Sequence, residues 1–233
     1  MSLKKSHGNM YSWVSHVHAH LGGECTHKCV YCYVWKSRFG RPEKYTGPPR
    51  LIESELAVDY GSGRIIFIEH MNDLFANSVP CAWKMEVLAH CRRYPENEYI
   101  FQTKNPGLAL SYLESFPPKF MIGTTVETNR DLDYSVTLAP QPLDRIKGIG
   151  RLMAEGARTF ITIEPVLDFD PHTLAGLIAS ARPEFVNIGA DSKGCGLEEP
   201  SGEKVLKLIA LLSEAGVTIR KKINLERLIG RLK

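Results

Sequence analysis

Six short runs of β-branched and aromatic residues alternate with stretches of helical periodicity, and that alternation constrains the fold more than any other feature. The runs are Trp13 to Ala19, Arg64 to Glu69, Tyr99 to Lys104, Phe120 to Val126, Thr159 to Glu164 and Phe185 to Ala190. Helical patterns cover 81–94, 106–115, 142–155, 171–181 and 202–214, followed by a short run from Val217 to Arg220 and a helical tail. Asn105-Pro106 and Asp170-Pro171 each put a capping residue before a proline at the first helical position. Ser201 with Lys204 lacks a full capping box.

Strands separated by helices in this order imply parallel βαβ units with right-handed crossovers. A doubly wound sheet and a barrel both satisfy the order, and the strand ends choose between them. They carry Glu69, Thr103-Lys104, Thr124-Thr125 with Glu127, Glu164-Pro165, and Asn187 with Asp191 close behind. Polar groups at successive carboxyl ends mark the active face of a barrel. No glycine-rich phosphate loop follows the first strand. The expectation is an α/β fold, a partial (β/α)6 TIM-type barrel, as one domain over 1–233. With 43% hydrophobic and 24% charged residues, the chain can bury a sizeable core.

Three cysteines follow the first strand at C-x3-C-x2-C spacing, in the run Cys25-Thr26-His27-Lys28-Cys29-Val30-Tyr31-Cys32. Three thiolates can hold three corners of a four-iron cluster and leave the fourth iron open for chemistry. Zinc on Cys25, Cys29, Cys32 and His27 is the alternative, but structural zinc sites pair two short knuckles and no second knuckle is present. Three unrelated thiols on an amphipathic turn are the other. Cys81, Cys91 and Cys195 are scattered, and Cys91 in its helical pattern reads as a small core residue.

The N-terminal Met1-Ser2-Leu3-Lys4-Lys5 is not followed by an apolar signal segment, and no apolar run is long enough to span a bilayer. A cytoplasmic protein without membrane association is the expectation. A net charge of +3 is too small to argue for nucleic acid by itself. Lys36, Arg38, Arg41, Lys44 and Arg50 crowd the segment after the cysteines against Glu43 alone, which reads either as a solvated loop or as an anion-binding rim.

The cysteine spacing, in the loop after a first barrel strand, resembles the radical S-adenosylmethionine superfamily. The narrower run Cys29-Val30-Tyr31-Cys32-Tyr33 is similar to spore photoproduct lyase-like proteins and small phage- and prokaryote-type relatives. The resemblance implies a [4Fe–4S] cluster on Cys25, Cys29 and Cys32 and S-adenosyl-L-methionine chelated at the open iron. The cofactor would be cleaved to a 5′-deoxyadenosyl radical that abstracts hydrogen from a substrate. A reductant such as flavodoxin or ferredoxin follows from that chemistry. It also implies Tyr31 near the adenine, Lys104 on the cofactor carboxylate, and Asn72 and Asp73 at the methionyl part. Glu69 stands where the group has an acidic residue. Thr124, Thr125 and Glu127 fall in the segment that meets the ribose and sulfonium, with Glu164 and Asn187 on the next two strands.

Two departures from the family pattern matter. Spore photoproduct lyase has a hydrogen-donating cysteine after strand two, where this chain has His70 and Met71. The superfamily's Gly-Gly-Glu also follows strand two, whereas Gly22-Gly23-Glu24 here precedes the cysteines and reads as a turn.

Other residues carry further readings. His16, His18 and His20 alternate and so share one strand face, as metal ligands or as polar residues at the barrel mouth. Lys104 could serve as a Schiff-base lysine in another barrel enzyme, and Glu164 as a base, an acceptor for a ribose hydroxyl or an internal ion-pair partner, with cofactor or barrel-lining duty favoured because radical abstraction needs no base. Cys195, between glycines after strand six, and Tyr33, beside the cluster motif, are candidate hydrogen-transfer residues. The resulting expectation is a radical S-adenosylmethionine enzyme of unknown substrate, with the basic segment favouring an anionic or nucleic-acid substrate. The rivals are a non-enzymatic iron–sulfur or zinc module, a barrel enzyme using Lys104 and Glu164, and a photoproduct-lyase-like repair enzyme.

Overall fold

The computed structural model describes residues 3–8, 10–36 and 43–230. Its strands are β1 Lys4–Lys5, β2 His16–His18, β3 Leu21–Gly22, β4 Arg50–Leu51, β5 Ile65–Ile68, β6 Glu98–Gln102, β7 Phe120–Thr125, β8 Arg158–Ile163, β9 Phe185–Ile188 and β10 Thr218–Lys221. The helices are α1 Cys81–Arg92, α2 Pro106–Ala109, α3 Pro142–Ala154, α4 Pro171–Ser180, α5 Gly202–Glu214 and α6 Glu226–Ile229. An eight-stranded sheet runs in the order β1-β2-β5-β6-β7-β8-β9-β10. β1 is antiparallel to β2 and every later neighbour pair is parallel. β3 and β4 form a separate antiparallel pair.

The structure carries the barrel one parallel strand beyond the six expected. Thr218–Lys221, the short run after the last long helix, pairs in register with Phe185–Ile188. Its charged, mostly exposed residues suit an edge strand. The helix expected over 106–115 also splits: α2 ends at Ala109 and a 3₁₀ segment takes Leu110–Ser115. Ser201 does cap α5, its Oγ accepting the Lys204 N–H at 3.3 Å. Of the basic segment, Arg38 and Arg41 lie outside the described residues. Lys44 donates to Ala19 O and Glu55, and Arg50 donates to the carbonyls of Thr46 and Lys44. No helix among the described residues is long and apolar enough to cross a membrane.

Period-two alternation divides each strand between two environments. Ile66, Ile68, Tyr99, Phe101, Ile122, Ile161, Ile163, Val186 and Ile188 pack into the larger core with residues of the helices. Phe67, Ile100, Met121, Phe160 and Phe185 point the other way, one from each of β5 to β9, and meet Tyr11 and Val14 in a second cluster. The segment before β2 thus fills the lower barrel. Trp13 stacks on Tyr11 at 5.4 Å and meets Phe185 edge-on at 5.7 Å. Gly123 makes room for this layer, because a Cβ there would sit 2.4 Å from the Phe160 ring.

The Gly22-Gly23 pair is more constrained than a turn alone requires. Gly23 has φ +80°, and a Cβ on it would lie 2.0 Å from Pro48 O. The obstructing atom is backbone, so no side chain can swing aside. Gly23→Ala is expected to lose on the order of 3–5 kcal/mol, since it combines left-handed strain with a backbone clash. A urea unfolding midpoint equal to that of the parent protein would refute this account of the approach to the cysteine loop.

Candidate functional site

A cavity of about 1320 Å³ opens at the carboxyl ends of the parallel strands. Its floor is a polar layer resting on the aromatic one, two residues further along the same strands. The Tyr11 hydroxyl lies 2.6 Å from Gln102 Oε1 and 2.6 Å from Thr162 Oγ1. Gln102 Nε2 donates to Thr125 Oγ1 at 3.0 Å, and Asn187 Nδ2 donates to Thr162 Oγ1 at 3.1 Å. Gln102 follows Ile100 by two, Thr162 follows Phe160 by two, and Asn187 follows Phe185 by two, so one periodicity builds both layers.

The cysteine loop forms one wall. Cys25, Cys29 and Cys32 all line the cavity, and all are free thiols. Cys29 is the most buried, with its Sγ 3.1 Å from Thr137 Oγ1. The covering segment 136–138 is bound to the loop by Val30 N–H to Val136 O and Leu138 N–H to His27 O, at 3.0 and 2.7 Å. Burial, reinforced by Asp73, pushes the Cys25 thiol up to about 12, and burial also raises Cys32. Loading a metal would therefore release thiol protons. Among the described residues no three His, Cys, Asp or Glu side chains are grouped to hold a single metal ion. Three free thiols on one cavity wall are a donor set of the kind that an iron–sulfur cluster takes.

Beside the cysteines lies a buried charge network. Glu127 and Arg145 are both fully buried, with Arg145 Nη1 donating to Glu127 Oε2 at 2.8 Å and to Thr125 O at 2.9 Å. Lys104 Nζ reaches Glu127 Oε1 at 2.5 Å and sits 5.0 Å over the Tyr31 ring, while the Tyr31 hydroxyl donates to the same carboxylate. Burial alone would raise the Glu127 carboxyl, but Arg145 and Lys104 hold it at about 2. Asp73 is placed the same way. Its Oδ2 takes His27 Nε2 at 2.8 Å and the Lys104 N–H at 2.8 Å, and Oδ1 takes the Phe75 N–H at 2.9 Å. These contacts outweigh burial and keep its carboxyl below the usual range.

Of the residues expected at the site, Tyr31, Tyr33, Glu69, Asn72, Asp73, Lys104, Thr125 and Glu164 line the cavity with the three cysteines. Asn72 Nδ2 donates to Gly23 O at 3.1 Å. The Tyr33 hydroxyl donates to His70 O. Glu164 is held by Lys222 Nζ at 2.6 Å and Asn224 Nδ2 at 2.8 Å while it lines the cavity. Four expected residues stand back from the cavity surface. Thr124 points to the other side of β7 and donates to Thr103 O at 2.6 Å. Glu127 lies beneath Lys104, and Asn187 supports Thr162. Cys195 sits on a loop whose Asp191, Ser192 and Lys193 do reach the cavity. His18 and His20 meet at 4.5 Å, but His16 bonds to Ser15 Oγ instead, so no three-histidine metal site forms.

Tyr11, Gln102, Thr162, Lys222, Asn224 and Arg145 join the site without being among the expected residues. Gln102 and Thr162 could have been found by continuing the inward period of each strand by one more step. Arg145 gave no such signal, because one charge in an amphipathic helix looks like any solvated face.

A family model described as a protein of unknown function, DUF5131, matches residues 11–178. No curated protein matches the sequence. Among solved structures, spore photoproduct lyase complexed with dinucleoside spore photoproduct aligns at TM-score 0.65 and 8% identity, over 92% of this chain and 79% of that one. SuiB of Streptococcus suis bound to S-adenosylmethionine aligns at TM-score 0.59 and 11% identity, over 93% of this chain and 52% of its own. SuiB bound to its precursor peptide SuiA aligns at TM-score 0.60 and 11% identity, over 88% and 48%. Both proteins are known with S-adenosylmethionine bound, spore photoproduct lyase as a double mutant. At these identities the likeness establishes the fold: the partial TIM-type barrel of those enzymes.

Proposed function

We propose that this chain, which belongs to the DUF5131 family, is a radical S-adenosylmethionine enzyme holding a [4Fe–4S] cluster on Cys25, Cys29 and Cys32. One observation carries the reading. Three free thiols, in the loop after the first parallel strand, line one wall of a large cavity in a fold shared with such enzymes. When bound, the cluster supplies the electron that splits S-adenosyl-L-methionine into methionine and a 5′-deoxyadenosyl radical able to abstract hydrogen.

The chain's own residues orient and shield. Lys104, fixed by Glu127 from below, is the cation proposed for the methionyl carboxylate. Asn72, Asp73, Thr125 and Glu164 line the same cavity; the first two would hold the methionyl part and the last two the ribose. Tyr31 offers a ring face beside the cysteines. The aromatic layer under Tyr11 keeps water from entering through the barrel floor. Tyr33, which lines the cavity, is better placed than Cys195 to pass a hydrogen atom. A one-electron donor of the flavodoxin or ferredoxin type completes the proposal, in a compartment that keeps thiols reduced. Lys4, Lys5 and Lys193 line the same cavity and support an anionic substrate, nucleic acid included.

The deciding experiment is anaerobic reconstitution with iron and sulfide, reduction, addition of S-adenosylmethionine and assay of 5′-deoxyadenosine. Cluster-dependent cleavage is expected even without substrate. A reconstituted protein that neither binds nor cleaves S-adenosylmethionine would sink the reading. Stable zinc uptake without an iron chromophore would favour the binding-module alternative.

A further inference from the structure

Behind the cavity wall lies a buried polar chain that the proposed chemistry does not use. Glu69 lines the cavity, and Oε1 accepts the His20 N–H at 2.6 Å and lies 2.8 Å from His20 Nδ1. His20 Nε2 lies 2.8 Å from His90 Nδ1, and His90 Nε2 lies 2.9 Å from Val58 O. Glu69, His20 and His90 are all at most 2% exposed. Glu69 adopts φ +57°, and among the described residues its Oε2 accepts the longer 3.2 Å bond from Leu21 N–H.

Val58 O can only accept, so His90 Nε2 carries a hydrogen. The His20–His90 contact needs a second, and the Glu69–His20 contact needs a third. A carboxylate and two neutral imidazoles hold two between them. The three contacts are satisfied only with one more proton on the group, however it is shared.

We propose that Glu69, His20 and His90 form a proton store in the cavity wall, holding one proton above the carboxylate and two neutral imidazoles at neutral pH. A cationic group bound against the cavity side of Glu69 displaces that proton. The displacement half rests on the function proposed above, because S-adenosylmethionine brings the cation; the store itself does not. In the displacement the proton leaves to solvent, Glu69 is left as carboxylate, and the two imidazoles keep one hydrogen each.

The surroundings favour the protonated acid over an ion pair. Burial raises the Glu69 carboxyl against the two backbone donors, and burial lowers His20 to about 3 and His90 to about 4. The facing titratable groups come from each packed segment. His18 stands edge-on to His20, with Glu55 paired to Lys44 behind it. Cys91 and Arg93 face the chain from α1 and its end. Tyr45 and His70 flank Glu69. Among the described residues, the Tyr60 hydroxyl, 2.9 Å from His20 Nε2, competes for that nitrogen. If Tyr60 donated there, the His20 and His90 lone pairs would face each other at 2.8 Å.

Glu69→Gln tests the count, because the amide brings its own hydrogens: Nε2 donates to His20 Nδ1, giving up the His20 N–H bond that Oε1 accepts, and no stored proton is then needed. Folding would then take up one proton fewer. Between pH 7 and 9 the parent protein is expected to lose tenfold more of its folding equilibrium constant per pH unit than the variant, about 1.4 kcal/mol. The sign follows from the folded state binding the extra proton, so its advantage falls as pH rises. Equal slopes overturn the store. Should the variant fail to fold, histidine-selective ¹⁵N NMR of the parent protein decides. A protonated Nε2 on both imidazoles with the third hydrogen between Glu69 and His20 supports the count, and a His20 Nε2 without hydrogen overturns it.

Calorimetric titration of the reconstituted protein with S-adenosylmethionine, in two buffers of different ionisation heat, tests displacement. About one proton released per ligand is expected from the parent protein and none from Glu69→Gln. Binding without release overturns displacement. Absence of binding overturns the displacement half with the proposed function, and leaves the store to the slope measurement.

Discussion

Cys29→Ala protein is expected to fold, yet to take up no stable iron–sulfur cluster and to form no 5′-deoxyadenosine after anaerobic reconstitution. Cys29 is the thiol set deepest in the wall, with Thr137 Oγ1 at 3.1 Å and the 136–138 segment bonded across the loop. The loop's backbone bonds do not involve its sulfur, so trimming it leaves them in place. A small buried side chain lost in this way costs about 1 kcal/mol, which shifts the melting temperature of a chain this size by roughly 2–4 °C. Chemistry and stability therefore separate. Iron and sulfide content measured beside the thermal melt checks both. Wild-type product formation by this variant would mean that the cysteines are incidental and that Lys104 and Glu164 belong to some other barrel reaction.

Arg145→Met is expected to do the reverse damage, striking the fold before the chemistry. Arg145 and Glu127 are both fully buried, and the guanidinium also bonds Pro140 O and Thr125 O. Removing one partner of such a pair leaves an uncompensated charge and costs roughly 3–5 kcal/mol. The melting temperature should fall by on the order of 10 °C. Acid behaviour should change with it. Glu127 is held at about 2, below its unfolded value, so its contribution is fully present above about pH 4.5 and is lost as pH falls toward 2. The parent protein should lose stability across that window, and the variant should show a much flatter response. Denaturant midpoints from pH 5 down to 2.5 provide the measurement. A variant as stable as the parent at pH 7 would show that Lys104 alone balances Glu127.

Much of the barrel was legible because strand periodicity and proline-capped helix starts are local signals. The six expected strands all appear within a few residues, and 202–214 is the observed extent of α5. β10 was harder, because Thr218–Lys221 is short, charged and mostly exposed, and only its pairing with β9 makes it a strand. The cysteine wall could be read from spacing. The inward step from Ile100 to Gln102 could have been read too, whereas the position of Tyr11 could not. Its hydroxyl meets Thr162 across 151 residues of sequence, and no local pattern records a contact of that range. The buried histidines show the same limit. Alternation placed His18 and His20 on one side, but His90 joins them from α1, 70 residues away.

The cover over Cys29 has a consequence in time. Thr137, which closes on the thiol, lies 108 residues further along the chain. At usual synthesis rates of about 5–20 residues per second, the three thiols emerge several seconds before their cover exists. Any inorganic assembly placed on them either arrives during that interval, onto an open loop, or must wait for a loop that has already shut over its deepest sulfur.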